Sequence, residues 1–544
     1  MPDTIRPAGD PAPENEPAGK EQKKAPGTPS RRPSRASLAW RDLPWEAIAV
    51  GLGLFAVLAV FVAADPAGGV TASNSPWTDE GFFTVNARNL IQFGHWSTDE
   101  WNLYLVNLPL SVLQAIWFAI SGVGIVQARL INIACVSLTA FAIVMALRGV
   151  TGRATAIFGG LAFAASGLIL YYGRLVYLED LVVLAVTVGT LVLVRDERLT
   201  LRWGGFSGLC YGIAIATKAS AAVPVAGIVA AMIVAVAWRD AGARRWIAGV
   251  IAASAAFGLA WLAVVWLPNR DAVAMDLKIW AQVRLSLAPI DALRTMLRYF
   301  ATDNDHVFGV LLGPLLLLGA AGLGAVFLAR RRLSRAQART AFIAIGWLVF
   351  GCGVLLIASY RPNRYVVPLV PPLAILSAMG LDLALQWLRE RPVRGSDETE
   401  LSAVRAGGRG PRRFDGWAGP LLLLAATAVA VAPGISWYAS WAHGATYTME
   451  NAETRLASAV PDGQMVAGTE SAVFLMKSHA ITLLTQPVGG VANNGDLYAA
   501  GVRYYMLPAG GPAPRGVSGS IWAARHQIFC AEYGGVTQCL FHLP

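Results

Sequence analysis

Two acidic residues stand side by side in Ser75-Pro76-Trp77-Thr78-Asp79-Glu80-Gly81-Phe82-Phe83, directly after the first long apolar stretch of the chain. A second acidic pair, Glu179-Asp180, closes the run that begins at Arg174, between two further apolar stretches. Lys218 interrupts an apolar segment in Ala216-Thr217-Lys218-Ala219-Ser220. Arg361 and Arg364 lie in Ser359-Tyr360-Arg361-Pro362-Asn363-Arg364-Tyr365, ahead of Pro368, Pro371 and Pro372. A carboxylate set against a hydroxyl takes its proton, and fixed guanidinium or ammonium groups bind phosphate through charge-assisted hydrogen bonds. These residue types suit general-base chemistry on a hydroxyl, with cations gripping a phosphate. Ionisable groups at a bilayer edge are costly unless solvated or paired, which makes them functional candidates. Plainer roles exist for each: Asp79 and Glu80 also suit the start of a surface helix, and a lone Lys218 also suits snorkelling to the interface.

The chain that must position these groups has 544 residues, 55% hydrophobic and 14% charged, with a mean hydropathy of +0.50, where a soluble domain carries about a quarter charged residues. That is the composition of a polytopic α-helical membrane protein. The net charge of +10 is carried by short Lys and Arg clusters between apolar runs, the pattern of cytoplasmic loops rather than of a nucleic-acid surface. A spanning helix needs about 20 mostly apolar residues. The candidates are 46–64, 126–147, 154–172, 181–194, 203–217, 219–237, 246–266, 307–328, 341–359, 365–387 and 417–437, about eleven transmembrane helices.

Basic residues orient them. Arg31, Arg32, Arg35 and Arg41 place the N-terminus inside and Asp79 outside, and Arg148 and Arg153 mark the next inside turn. One crossing fits between, so 105–121, interrupted by Asn107, Pro109 and Gln114, reads as an interfacial or re-entrant helix within an external loop 65–125. Further inside clusters are Arg195, Arg198 and Arg202; Arg239, Arg244 and Arg245; and Arg330 to Arg339. Arg174, Lys218, Arg361 and Arg364 then fall on the outer side, each at a span end. So do Arg270, Lys278, Arg284, Arg294 and Arg298 in the 267–305 loop, where the apolar spacing of 276–287 suits a helix lying on the membrane surface.

Three regions follow. Residues 1–40 have almost no large apolar residues, and 1–44 reads as a disordered cytoplasmic tail, with no cleavable signal peptide. Residues 45–437 form the transmembrane domain, with a cytoplasmic linker at 389–415. Residues 438–544 read as a small extracytoplasmic α/β domain, with β-like runs at 464–467 and 502–507 and helical patterning at Ser471 to Lys477. Cys135, Cys210 and Cys352 sit in apolar runs, whereas Cys530 and Cys539 lie in the tail, where an oxidising compartment permits a disulfide. No Walker phosphate loop, Gly-x-Ser-x-Gly element or His-Glu-x-x-His helix is present, which argues against a cytosolic ATPase, a serine hydrolase of that type and a zinc peptidase.

Four motifs resemble the GT-C superfamily of membrane glycosyltransferases, in the branch of protein O-mannosyltransferases and lipid A aminoarabinose transferases. They are Trp77-Thr78-Asp79-Glu80 with Asn86-Ala87-Arg88-Asn89-Leu90; Gly122 to Asn132 with Ala128-Arg129-Leu130; Gly208 to Lys218; and Tyr360 to Tyr365 with Pro368, Pro371 and Pro372. The resemblance spans about residues 45–390. It implies a multi-pass plasma-membrane enzyme that moves a sugar, with inversion, from a polyprenyl-phosphate donor to an extracytoplasmic hydroxyl on a lipid, glycan or protein. It further implies Asp79 as general base with Glu80 orienting the base or the sugar. Lys218, Arg361 and Arg364 would contact the donor phosphate, and Asp180, with Arg174 and Glu179, would form a second acidic or sugar-binding group. No cofactor is certain; Asp79 and Asp180 are the candidate ligands for a divalent metal. Where the family often has His or Glu before a Pro pair, this chain has Asn107-Leu108-Pro109. The alternative is a transporter or lipid flippase, for which inverted repeats or helices broken at the bilayer midplane are expected; no strong repeat is visible. A purely structural membrane protein leaves the outer-face Arg and Lys residues unexplained.

Overall fold

The apolar stretches fold as helices, and the polar C-terminal segment closes over them as a small sheet. The computed structural model describes residues 44–66, 79–96, 107–194, 198–237, 241–271, 273–274, 291, 294, 312–357, 363–390, 417–468, 470–483, 497–514, 516–533 and 536–544. The expected tail, most of the 389–415 linker, Arg361 and the 276–287 surface helix lie outside the described residues.

In chain order the helices are α1 (Trp45–Val60), α2 (Glu80–Phe93), α3 (Leu108–Ser121), α4 (Ile125–Leu147), α5 (Arg153–Ala164), α6 (Gly167–Tyr172), α7 (Leu178–Leu191), α8 (Leu201–Thr217), α9 (Ala222–Ala237), α10 (Ala241–Trp261), α11 (Gly313–Leu328), α12 (Arg335–Ile357), α13 (Val370–Glu390), α14 (Ala418–His443) and α15 (Thr448–Leu456). Among the described residues, five helices are long and apolar enough to cross a membrane: Ile125–Leu147, Ala241–Asn269, Arg335–Leu356, Asn363–Glu390 and Ala418–His443. Shorter apolar helices accompany them, including α1, α3, α5 and α11. The 14 residues of α3 reach about 21 Å, short of a hydrocarbon core of about 30 Å.

One expectation is corrected. The single span at 154–172 is broken in two: Ser166 leaves helical geometry (φ −56°, ψ 129°) between α5 and α6. At that break α14 makes its closest approach, since a Cβ on Gly434 would lie 1.9 Å from the Ala165 carbonyl oxygen. The proline-rich entry to the expected 365–387 span is a 3-10 helix over Asn363–Leu369 that runs directly into α13. Pro368 fits because the fixed proline φ matches that geometry, and Pro371 and Pro372 fall in the first turn of α13, where missing amide donors cost nothing.

Residues 465–542 carry five strands: β1 (Met465–Ala467), β2 (Ile481–Leu483), β3 (Tyr504–Pro508), β4 (His526–Tyr533) and β5 (Val536–His542), in the order β2-β1-β3-β5-β4. β1 runs parallel to β2 and β3, while β5 runs antiparallel to β3 and β4. Cys530 and Cys539 face each other across β4 and β5 and are joined by a disulfide. Residues Trp45–Pro544 form one compact unit. Val466, Met506 and Leu540 share a hydrophobic core with Phe83, Phe118 and Ile125, so the sheet is seated on the helices rather than tethered to them.

Asp65, just after α1, fastens this seat. Its carboxylate accepts from the Thr448 amide at 2.8 Å, the Met449 amide at 2.9 Å and the Thr446 hydroxyl at 2.7 Å. It thus caps α15 from a distant part of the chain, satisfying amides that a helix start leaves unpaired. Asp65→Ala is expected to cost about 1–2 kcal/mol. The readout is a lower thermal midpoint of the detergent-solubilised protein and faster hydrogen exchange at the Thr448 and Met449 amides; an unchanged midpoint with unchanged exchange would show the cap to be dispensable.

Candidate active site

Asp79 occupies the N-cap of α2, yet its carboxylate makes no capping hydrogen bond. It accepts instead from Arg364 Nη2 at 2.7 Å. Arg364 lies in the 3-10 helix before α13, and its Nε is 3.7 Å from Glu179 Oε1 in the first turn of α7. That same Glu179 oxygen accepts from Lys218 Nζ. Lys218 closes α8 in extended geometry (φ −153°, ψ 116°), which turns its side chain out of the helix path. Two carboxylates and two cations from four separate elements therefore form one chain, Asp79–Arg364–Glu179–Lys218. The Tyr365 ring lies 3.9 Å from Lys218 Nζ, and the Tyr177 ring 5.4 Å from the Arg364 guanidinium, so aromatic faces add to the hold on both cations. Glu179 is buried and Arg364 and Lys218 are nearly so, while the Asp79 side chain is 30% exposed; the open end of the chain is the acid.

The remaining candidates are spent on holding this arrangement. Both oxygens of Glu80 accept from Arg129, at 2.7 Å each, and Oε1 also accepts from the Val176 amide at 3.0 Å. Both side chains are fully buried. Arg129 also donates to the carbonyls of Val62 and Ala64, at 2.8 Å each. Arg174, fully buried, donates to the carbonyls of Ala64 at 2.6 Å and Asp65 at 2.7 Å, and its guanidinium packs 4.1 Å from the Trp441 ring. Asp180, also fully buried, accepts from Asn132 Nδ2 at 2.9 Å, which donates in addition to the Tyr177 carbonyl at 2.6 Å. Asp79 is thus turned to Arg364 and Asp180 to Asn132. Among the described residues no group of three or more His, Cys, Asp or Glu side chains is placed to hold a metal ion.

The C-terminal segment presses on α2 from the other side. A Cβ on Gly81 would sit 2.7 Å from the Val473 amide nitrogen, so only glycine permits this approach. Arg88 donates to the carbonyls of Met476 (3.1 Å), Leu475 (3.2 Å), Ser478 (2.6 Å) and Ala480 (2.7 Å). Burial lowers its pKa to about 10, with Glu453 opposing, so it stays charged at neutral pH. Glu453 accepts from the Ile125 amide at 3.1 Å and pairs with Lys477 at 3.1 Å; burial pushes its carboxyl up and Lys477 partly restores it. Glu470, 3% exposed, completes this contact. Arg88 and Arg129 lie in motifs visible in the sequence, but their roles required knowing which carbonyls they reach. Glu470 and Asp65 carried no local signal.

An apolar cavity of about 900 Å³ runs between α3, α4, α7, α8 and α10. Leu108 at the start of α3 and Leu181 beside Asp180 line it, and it follows α7 to Leu191. A smaller cavity of about 20 Å³ lies on the other face of α7 against Glu179, Lys218 and Tyr365, closed by Pro224 and Pro368; it has room for a water but not for a phosphate.

Residues 109–267 match the sequence profile of the dolichyl-phosphate-mannose-protein mannosyltransferase family. A sequence search of curated proteins gives no match. Among solved structures, ArnT from Cupriavidus metallidurans bound to undecaprenyl phosphate superposes with a TM-score of 0.56 at 16% identity, covering 92% of this chain and 98% of that one. The archaeal oligosaccharyltransferase AglB from Archaeoglobus fulgidus, in complex with an inhibitory peptide and a dolichol-phosphate, superposes with a TM-score of 0.51 at 15% identity, over 86% of this chain and 70% of that one. The chain has the GT-C fold. The superfamily resemblance read from the motifs therefore holds at the level of the fold, and the four charged groups that converge lie on helix ends of that fold.

Within this GT-C fold, Arg129→Ala leaves the Glu80 carboxylate buried without its cation. The expected cost is about 3–5 kcal/mol, seen as a large fall in thermal midpoint. Arg129→Met combined with Glu80→Leu removes both charges and is expected to recover part of that loss. A double variant no more stable than the single one would show that the backbone contacts, not the ion pair, carry the effect.

Proposed function

We propose that the protein is an integral membrane glycosyltransferase that moves a sugar from a polyprenyl-phosphate donor to an extracytoplasmic acceptor hydroxyl, with inversion. The observation that carries this reading is the Asp79–Arg364–Glu179–Lys218 chain, in which one acid is open to solvent and two cations are held by carboxylates that an incoming phosphate can displace. In the mechanism, Asp79 accepts the proton of the acceptor hydroxyl as its oxygen attacks the anomeric carbon. The bond from that carbon to the lipid phosphate breaks, and its electron pair leaves with the phosphate. The donor phosphodiester carries about one negative charge and the released phosphomonoester nearer two, so charge grows on the leaving group. Arg364 and Lys218 meet that charge and bind the transition state more tightly than the substrate, which lowers the barrier. Arg361 is close to Arg364 in sequence and is proposed as a further phosphate contact.

The ligand-free arrangement gives the step an order. Arg364 is engaged by Asp79, so the guanidinium and the carboxylate occupy one another before substrate arrives. Phosphate entering beside Lys218 and Arg364 competes for the guanidinium and frees Asp79. The small cavity there must open for this, by parting Lys218 from Glu179. Glu80, Arg174 and Asp180 act in this reading by fixing the backbone and helix starts that carry Asp79 and Glu179. The apolar cavity along α7 suits an isoprenoid chain, and the solved neighbours with undecaprenyl phosphate and dolichol-phosphate bound favour that class of lipid. The GT-C fold and the profile match favour transfer over the transporter reading.

Asp79→Asn is expected to keep folding and membrane insertion while lowering transfer by about 100-fold or more. The assay is sugar transfer from labelled polyprenyl-phosphate sugars by purified protein in detergent; near-normal transfer would remove Asp79 as base. Arg364→Ala is expected to raise the KM for the lipid donor by about tenfold or more, with the acceptor KM less affected. An unchanged donor KM would count against the phosphate role.

A further inference from the structure

Glu470 is an acid near α2 whose placement the proposed reaction leaves unused. It is 3% exposed, and neither carboxyl oxygen has a hydrogen-bond partner among the described residues. It opens the short turn Ser471–Phe474, whose backbone is pressed against the first turn of α2 at Gly81. The charged groups that face it are Asp79 and Glu80, both carboxylates. Their cations are already committed, Arg364 to Asp79 and Arg129 to Glu80. A buried charge without a partner is expensive, and neighbouring like charges do not ionise together cheaply. Burial first, and the two carboxylates after it, push the Glu470 carboxyl well above its usual range. Asp79 differs on both counts, being part exposed and paired with a guanidinium.

Resting on the reading of Asp79 as the base, we propose that Glu470 is a positioning residue for it: Glu470 carries the proton of an acidic pair so that Asp79 carries the charge. With Glu470 neutral, Asp79 meets no unpaired negative neighbour and keeps its pairing with Arg364. During transfer the acceptor proton goes to Asp79, then from its exposed side to water, while Glu470 keeps its own. As pH rises, Glu470 loses that proton. A second, unpaired negative charge then stands beside Asp79, holds Arg364 back from the donor and repels the donor phosphate. Transfer falls on the alkaline side for this reason.

The test uses the full-length protein in detergent. The pH dependence of kcat/KM for a polyprenyl-phosphate sugar is measured for wild type, Glu470→Gln and, should the first fold poorly, Glu470→Met. In parallel, infrared difference spectra at neutral pH report protonated carboxyl groups without any need for turnover. The expected result is a protonated-carboxyl band in wild type that is absent from the Gln variant, together with loss of the alkaline fall in that variant. Absence of any band difference overturns the proposal whatever the activity. A wild type that transfers sugar while the Gln profile overlays its own overturns the positioning role. A wild type inactive with every donor sinks the glycosyl-transfer reading and this role with it, and the band still reports separately whether Glu470 holds a proton.

Discussion

The buried pair of Glu80 and Arg129 is the constraint on which the rest of the arrangement depends. A bidentate guanidinium–carboxylate contact in a dry interior is worth keeping only when the remaining donors and acceptors are also satisfied. Here they are: Arg129 finds two carbonyls at the exit of α1, and Glu80 finds the Val176 amide just before α7. One ion pair thereby fixes the distance between the end of α1, the start of α2, the body of α4 and the approach to α7. Asp79 is the neighbour of Glu80 in sequence, and Glu179 lies three residues beyond Val176. The two acids of the open cluster are positioned by a pair that does not itself belong to the cluster. Arg174 repeats the device one layer over, by holding the Ala64 and Asp65 carbonyls.

A cluster of alternating charges is also a way to keep cations at a membrane edge before a phosphate arrives. Lys218 or Arg364 alone at such a place would be costly to bury or would snorkel away. Paired through Glu179, with Tyr177 and Tyr365 against them, they stay in place. In the proposed reaction the donor phosphate replaces carboxylate contacts with phosphate contacts, so little new desolvation is required. The C-terminal segment enters the same logic through the Gly81 contact and the four carbonyls held by Arg88, because the helix that bears the proposed base is gripped from both sides.

Much of the fold was legible because hydrophobic run length is a direct physical requirement of a bilayer. Every expected span contains a helix, and the tail carries β1 and β3 where β-like runs were read. The break at Ser166 was not legible, because it depends on the approach of Gly434 from a helix some 270 residues later, a contact with no local mark. The 3-10 entry to α13 carried no mark of its own either: prolines exclude an α-helix interior but tolerate a 3-10 turn and a first helical turn. For the site, the basic residues read on the outer side by composition include Lys218 and Arg364, which converge on Glu179. The same signal picked out Arg174, where the charge serves backbone carbonyls. Glu80 and Asp79 are indistinguishable in sequence, and only their partners separate them.

The two faces of α7 bear on where a lipid donor would lie. Leu181, Leu184, Ala185, Val188 and Leu191 recur at helical spacing along the apolar cavity, while Glu179 and Val182 face the cation cluster on the opposite side. A chain lying in the cavity reaches the cluster only around the helix start, where Asp180 is buried against Asn132 and Leu181 marks the cavity end. That geometry separates the apolar from the charged part of a ligand by the thickness of one helix. In the proposed reaction it places the phosphate at the helix mouth and the isoprenoid tail along the flank, with the bend between them at Glu179 and Asp180. The acidic pair at the start of α7 is then best understood as a corner post: one acid holds the cations and the other holds the helix that the lipid must round.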